Sequence, residues 1–432
     1  MAIRRHGRTC FLDLVDDGRR LQCQVRVDIV GGEAYDFFRR FVERGDFVGV
    51  RGGMFYTRMG ELTLQVEGLS LLSKALYDIP REWYGLREVE ARYRQRHLDL
   101  IMNGGVRELF ATRSRIVSGM RRFLDGRGFL EVETPLIQES YGGASARPFT
   151  TYVNGLCETR YLQISPELYL KRLVIGGFNR VYTISKNFRN EEIDSTHNPE
   201  FTMMEAYQAY SDYNDMMELA EALISGLAAE LRGSTRVEYA GLEIDLGRPW
   251  RRVTMHEALR QIAGMDVQAM GDDEIAEALR EVDPESHGRL IRGSGYSRGL
   301  FTARLFDSLC QRRLLQPTFV TDYPGETSPL CKPHRGDPAL IERFELFIAG
   351  MELANAYTEL NDPDLQESLL EEAVRGTYAH PRDEGYVEAL RHGMPPTGGI
   401  GIGVDRLVML LTGSASIKEV ILFPIMRRLP FS

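Results

Sequence analysis

Few cysteines, very few lysines and no long apolar run set the first limits on this chain of 432 residues. The five cysteines, Cys10, Cys23, Cys157, Cys310 and Cys331, are odd in number, scattered and without a C-x-x-C spacing. That pattern supplies neither a disulfide framework nor a zinc site, and it suits a reducing compartment. No stretch approaches the ~20 apolar residues that a membrane-spanning helix needs. Met1-Ala-Ile-Arg-Arg is followed soon by Asp13, Asp16 and Asp17, which a signal peptide would not carry. The expectation is a cytoplasmic protein that does not use a membrane. A P-loop is missing, and so is a G-x-G-x-x-G followed by a ribose-binding acid, so neither nucleotide fold is indicated. Lysine appears only at Lys74, Lys171, Lys186, Lys332 and Lys418, so arginine carries nearly all the positive charge, a bias of composition. Against 53 Lys+Arg stand 62 Asp+Glu, and a net charge of -9 excludes a protein that coats nucleic acid through its whole surface. A local basic patch remains open, because steering follows the distribution of charge.

What is present is a chain with 43% apolar residues, enough for a large core and about two or three domains. Residues 1–75 alternate apolar and polar, with turn signals at Asp17-Gly18, Gly31-Gly32, Gly52-Gly53 and Gly60 and a helical insert near Ala34–Glu43. A small all-β unit of this kind suits an OB-fold, a barrel that commonly binds nucleic acid. Its first 26 residues hold six arginines against three aspartates. Residues 76–104 read as a linker with a short basic helix, and the larger domain runs over 105–432. It opens with apolar residues at helical spacing over Val106–Leu124, ended by Gly126 and Gly128, and a strand from Phe129 stopped by Pro135. Residues 255–315 read as a helical insertion.

The most informative stretch is Arg180–Glu191 with His197–Tyr207, two strands joined by a polar loop. Phe201, Met203, Glu205 and Tyr207 share one strand face by their two-residue spacing. Packing alone gives no reason for Glu205, since an unpaired buried carboxylate is costly, so a cation is expected against it. Arg189 supplies a planar cation suited to carboxylate or phosphate oxygens. The same period groups Asn355, Tyr357 and Glu359, while Glu345 and Glu352 flank the turn at Ala349-Gly350. A regular strand would send Glu352 to the face opposite Glu359, so a bulge or an edge position is required. The glycines at Gly142 and Gly143 permit close approach of backbone to a ligand, and Ser165-Pro166 starts a helix with Glu167 in its first turn.

Phe188-Arg-Asn-Glu191 with His197-Asn-Pro-Glu-Phe-Thr-Met-Met-Glu-Ala-Tyr207 resembles motif 2 of class II aminoacyl-tRNA synthetases, in the wording of the lysyl-tRNA synthetases. The helix and proline-stopped strand near residue 106 resemble motif 1, and the glycine-rich run from Pro395 into Arg406 resembles motif 3, so the likeness spans essentially the whole chain. It implies an α+β fold, a class II antiparallel sheet with flanking helices preceded by a small OB-fold barrel. It also implies a lysine-tRNA ligase that activates L-lysine with ATP and Mg²⁺ and transfers it to tRNA(Lys). By this resemblance Arg189 and Arg406 are the catalytic cations and Glu345 and Glu352 hold Mg²⁺. Glu191, His197, Asn198 and Phe201 contact ATP together with Arg189 and Arg406. Glu167 takes the substrate α-amino group, and Glu205, Tyr207 and Glu359 take the ε-ammonium. Gly143, Asn355, Tyr357 and Gly401 complete the pocket. Phe11, Gln22 and Glu61 fall where the family reads the anticodon by stacking and edge hydrogen bonds. A homodimer through the motif 1 helix follows as well, with no DNA partner. The family normally carries a helical extension and most of a first strand ahead of this point, so the barrel is expected to be N-terminally short.

Three positions depart from the pattern. The family's "LRIAPEL" is here Leu162-Gln-Ile-Ser-Pro-Glu-Leu168, and Met351 replaces a common arginine. Gln163 and Ser165 resemble the truncated relative that attaches β-lysine to elongation factor P, whereas Gly401 keeps the lysyl-tRNA synthetase form. An alternative reading is therefore a paralog that charges a lysine analogue or modifies a protein. A non-catalytic RNA-binding or regulatory dimer ranks last, because Arg189, Glu345, Glu352 and Arg406 all stand.

Overall fold

The computed structural model describes residues 3–79, 86–293, 295–375 and 383–429. The chain divides into two compact units, Met1–Arg107 and Glu108–Ser432. In the first, β1 (Ile3–His6), β2 (Thr9–Asp16) and β3 (Arg19–Arg26) are followed by helices α1 (Val27–Val30) and α2 (Gly32–Phe41), then β4 (Phe47–Tyr56) and β5 (Leu62–Ser73). The five strands form one sheet in the order β1-β2-β3-β5-β4. Period-two alternation sends Cys10, Leu12, Cys23, Val25, Leu64 and Val66 inward against Tyr35 and Phe38 of α2. The expected barrel is not closed: among the described residues no ladder joins β4 to β1, whose four residues pair with β2. Within the expected linker over 76–104, α3 (Val89–Arg94) and α4 (Arg96–Met102) form, and its residues 80–85 lie outside the described residues.

The second unit continues through α5 (Gly104–Asp125), β6 (Leu130–Glu131), β7 (Ile137–Gln138), β8 (Thr150–Val153), β9 (Glu158–Leu162) and α6 (Glu167–Ile175). Next come β10 (Arg180–Phe188), β11 (Glu200–Ala209), α7 (Tyr213–Arg232), β12 (Arg236–Tyr239), β13 (Leu242–Asp245) and β14 (Arg251–Thr254). The helical insertion holds α8 (Met255–Ala258), α9 (Asp272–Val282), α10 (Pro284–Gly293) and α11 (Arg298–Leu309); residue 294 lies outside the described set. The chain closes with β15 (Thr318–Pro324), β16 (Leu340–Ile348), β17 (Met351–Thr358), α12 (Pro363–Arg375), α13 (Glu384–Leu390), β18 (Thr397–Gly403), α14 (Val404–Thr412) and α15 (Ile417–Val420).

Eight of these strands make one sheet, β14-β15-β16-β17-β18-β11-β10-β6. Its six central strands are antiparallel, and only the edge pairs β14/β15 and β10/β6 run parallel. The apolar stripes of α5, α7 and α14, including Ile116, Met120, Leu223, Leu227, Leu407 and Leu411, pack with Met204, Ala206, Ala354, Ala356, Ile400 and Ile402 of the sheet. Those strand residues alternate with Glu205, Asn355, Tyr357 and Gly401, so the core takes one face and the functional residues take the other. The motif 1 strand is shorter than its sequence suggests: only Leu130 and Glu131 pair with β10. The helix after Ser165 starts one residue late, at Glu167, and the Ser165 hydroxyl accepts the Glu167 N–H at 3.2 Å.

Candidate active site

The site is built on β18, which runs between β11 and β17. Its register makes two rows across the sheet, Glu205–Gly401–Asn355–Glu345 and Tyr207–Gly399–Tyr357–Arg343. Each row is empty at its centre because the β18 residue has no side chain, which leaves a trough walled by β11 on one side and β17 on the other. A Cβ on Gly399 would stand 2.1 Å from Glu359 Oε1 and 2.4 Å from Tyr207 Cε1. The trough floors a cavity of about 310 Å³. Of the residues expected in the catalytic domain, Gly143, Glu167, Arg189, Glu191, His197, Asn198, Phe201, Glu205, Tyr207, Glu352, Asn355, Tyr357, Gly401 and Arg406 line this one cavity. Glu345 and Glu359 stand behind its wall.

The bulge that β17 requires is present. Leu346 pairs with Ala354 and Phe347 with Glu352, so Leu353 is the extra residue. Leu353 and Ala354 are both buried, and Glu352 recovers the face of Asn355 and Tyr357.

At one end of the trough lies an acidic nest. Glu205 is buried, and its carboxylate accepts from Ser165 Oγ at 2.9 Å and Tyr207 Oη at 3.2 Å. Burial, and then the neighbouring Glu167 carboxylate, push the Glu205 carboxyl up to about 8, against the pull of Ser165, Tyr207 and Arg189. Glu167 accepts from Lys171 Nζ at 2.5 Å on one oxygen and from Tyr357 Oη at 2.6 Å on the other. Glu359 is ion-paired to the same Lys171. Its Oε1 has no hydrogen-bond partner and lies under Gly399.

At the other end the groups are cationic. The Arg189 guanidinium lies over the Phe201 ring at 5.1 Å, and burial lowers its pKa while Glu352, Glu191 and Glu205 oppose that. Arg406 donates to the Glu352 carbonyl at 2.6 Å and stands 3.5 Å from its carboxylate. A second Arg406 nitrogen lies 3.0 Å from His197 Nε2; guanidinium only donates, so His197 carries its proton on Nδ1, 2.8 Å from Asp194. Glu345 is held by Arg343 at 2.6 Å and Tyr323 at 2.9 Å, and burial, with the Glu352 carboxylate adding to it against Arg343, pushes it up to about 7. Two carboxylates at this end carry the hard oxygens that suit a cation such as Mg²⁺, Glu352 on the cavity wall and Glu345 behind it.

Sequence reasoning missed Lys171, whose Glu167 spacing of four residues usually marks a solvated helix pair; the signal was its place on the stripe Glu167, Leu168, Lys171, Val174, all buried. It also missed Asp405, which accepts the Thr202 N–H at 2.7 Å and pairs with Arg113 at 2.6 Å, tying α14 and α5 to β11. Of the three departures, only Ser165 lines the cavity. Gln163 is fully buried and bonds Ser185, the Lys186 carbonyl and Asn187 at 2.8–3.1 Å, while Met351 packs in the core with its sulfur 3.4 Å from Tyr239 Oη.

In the first unit, Phe11 and Gln22 share the sheet face opposite α2, since Phe11 pairs with Gln24 and Asp13 with Gln22. Gln22 Nε2 donates to Glu61 at 2.7 Å and Thr63 Oγ1 donates to Gln22 at 3.0 Å, so two expected readers already bond each other.

A mostly antiparallel sheet with a glycine strand between an arginine-bearing hairpin and a bulged acidic strand defines a class II synthetase catalytic domain. Residues 88–427 match the family of class II tRNA synthetases (D, K and N), and residues 1–72 match the OB-fold nucleic acid binding domain. The chain belongs to the class II tRNA synthetases of this D, K and N group. Within it, the chain is 51% identical to the Lysine--tRNA ligase of Methanoculleus marisnigri, over 98% of this chain and 84% of that relative. It is 52% identical to the Lysine--tRNA ligase of Saccharolobus solfataricus, over 98% and 85%. The Lysine--tRNA ligase of Pelotomaculum thermopropionicum is 51% identical, over 99% and 85%.

Proposed function

We propose that this chain is a lysine-tRNA ligase, which activates L-lysine with ATP and passes the lysyl group to tRNA for protein synthesis. Near-full-length relatives at about half identity support this. Within the site, the observation that carries it is Glu205, a buried carboxylate facing the cavity with only hydroxyl partners. A neutral or anionic side chain would leave it unpaired; a terminal ammonium completes it. The aliphatic stem of lysine lies along the glycine trough, its ammonium on Glu205 and Tyr207 with the orphan Oε1 of Glu359 beneath. Its α-amino group lies on Glu167, and Gly143, Asn355, Tyr357 and Gly401 form the walls and floor. Such a pocket rejects the neutral isostere by about 10⁴-fold.

Activation needs no base, because the lysine carboxylate is itself the nucleophile: its oxygen attacks the α-phosphorus and pyrophosphate leaves. The protein aligns the two and neutralises phosphate charge. Arg189, whose charge interacts with both Glu352 and Glu205, bridges carboxylate and α-phosphate. Phe201 and Arg406 flank the adenine, with Glu191, His197 and Asn198 contacting base and phosphates. Glu345 and Glu352 would hold Mg²⁺, whose chemistry there would be positive charge against the phosphates. Phe11, Gln22 and Glu61 read anticodon bases, with the Gln22–Glu61 bond opening to do so. The enzyme acts as a homodimer through α5 in the cytoplasm; among the described residues no helix is long and apolar enough to cross a membrane.

The test is pyrophosphate exchange across the amino acids, followed by aminoacylation of tRNA. Lysine-dependent exchange and lysyl-tRNA are expected; preference for another amino acid would overturn the reading. Ser165, bonded to Glu205, is the one observation that favours a lysine analogue as substrate, and β-lysine in the same panel decides it: exchange faster than with lysine would support the paralog.

A further inference from the structure

Lys171 is fully buried on α6, with Glu167 at 2.5 Å and Glu359 as its second ion-pair partner. The Tyr357 and Tyr386 ring centres lie 5.4 and 5.8 Å from its nitrogen. We propose that Lys171 is a positioning residue for substrate recognition, an internal ammonium that holds Glu167 and Glu359 aimed at the trough before lysine arrives. This role rests on the lysine-pocket reading above, and charge is its first ground. Three buried carboxylates, Glu167, Glu205 and Glu359, gather at one end of the trough. Lysine brings two ammoniums, one short of neutrality, and its own carboxylate is met by Arg189. Lys171 supplies the third.

Geometry agrees. Lys171 does not line the cavity, so it touches the two amine-binding carboxylates from behind and leaves their outward lone pairs to the substrate. Tyr357 fixes the second oxygen of Glu167, which leaves that carboxylate little rotational freedom. The other titratable groups facing the cluster are Glu205 and Tyr207 on β11, Tyr357 on β17, Tyr386 on α13 and Cys331. Burial acts against the charge of Lys171, and the Glu167 and Glu359 carboxylates overcome it, so its pKa lies well above the ordinary value and the proton stays on Lys171. Glu205 lacks such a partner and is pushed up to about 8; burial raises Glu359 as well, and Lys171 acts against that.

The consequence is a pH dependence. Lys171 draws the Glu359 carboxyl down against burial, so in Lys171→Met that carboxyl should rise further. The lysine KM in pyrophosphate exchange should then rise about 10-fold or more at pH 7 and recover toward pH 9, while the KM for ATP stays within about 3-fold. A role in packing alone would raise KM equally at every pH, and that outcome, or an unchanged lysine KM, would overturn the proposal while leaving the lysine reading intact. A wild-type enzyme inactive on lysine would sink both.

Discussion

Glu352 and Asn355 present their side chains to the same face of β17 although they lie three positions apart. The Leu353 bulge restores the parity that regular alternation would break. Glu352 thereby reaches the cavity beside Arg406, where a carboxylate can meet a phosphate-bound cation.

Replacing Glu352 with Gln keeps the shape and removes the charge. Lysine-dependent pyrophosphate exchange should fall about 10²-fold or more, and the Mg²⁺ concentration for half-maximal rate should rise. Titration of Mg²⁺ at saturating ATP checks this. An unchanged Mg²⁺ requirement would remove Glu352 from the metal site.

Glu205→Gln should cut kcat/KM for lysine by about 10³-fold or more while the KM for ATP changes less than about 3-fold. The same variant should stabilise the empty protein. The native carboxyl sits at about 8 and the free one near 4.5, so between these values the unfolded chain has lost a proton that the native site keeps. Stability contributed by this group is complete below pH 4.5 and is lost as pH rises toward 8. Thermal melts should show the Tm advantage of Glu205→Gln growing from pH 5.5 to 8.5, and lysine should close the gap for wild type only.

Two glycines of β18 should respond differently to alanine. Gly399→Ala places its Cβ 2.1 Å from Glu359 Oε1 and 2.4 Å from the Tyr207 ring, so the lysine KM should rise about 10-fold or more. The new Cβ of Gly401→Ala meets the Met203 methyl at 2.9 Å, the far end of a flexible side chain, and the change should stay within about 3-fold. Equal effects would contradict the trough.

Phe11→Ala should leave pyrophosphate exchange untouched and weaken tRNA charging. Loss of one stacked base costs about 1–3 kcal/mol, so the KM for tRNA should rise roughly 5- to 150-fold. Aminoacylation at varied tRNA concentration measures it, and an unaltered KM would place the anticodon elsewhere.

Much of this site was legible in the amino-acid order because strand geometry is local: a period of two groups Phe201, Met203, Glu205 and Tyr207, and glycines at alternate places in β18 announce a bare strip. The charge of Glu205 likewise marked a position that packing does not explain, since burial makes unpaired charge costly whatever the neighbours. Tertiary structure alone decided the rest. Whether Glu352 faces in or out depended on a bulge set by pairing with β16. Gln163, Ser165 and Met351 looked alike as departures, yet only Ser165 reaches the cavity, because the other two turn into cores formed by distant segments. Lys171 and Glu359 lie 188 residues apart in number and meet only where α6 packs beside the end of β17, so no local pattern could have paired them. Alternation along a chain fixes which side chains share a face; what each face meets is fixed by folding.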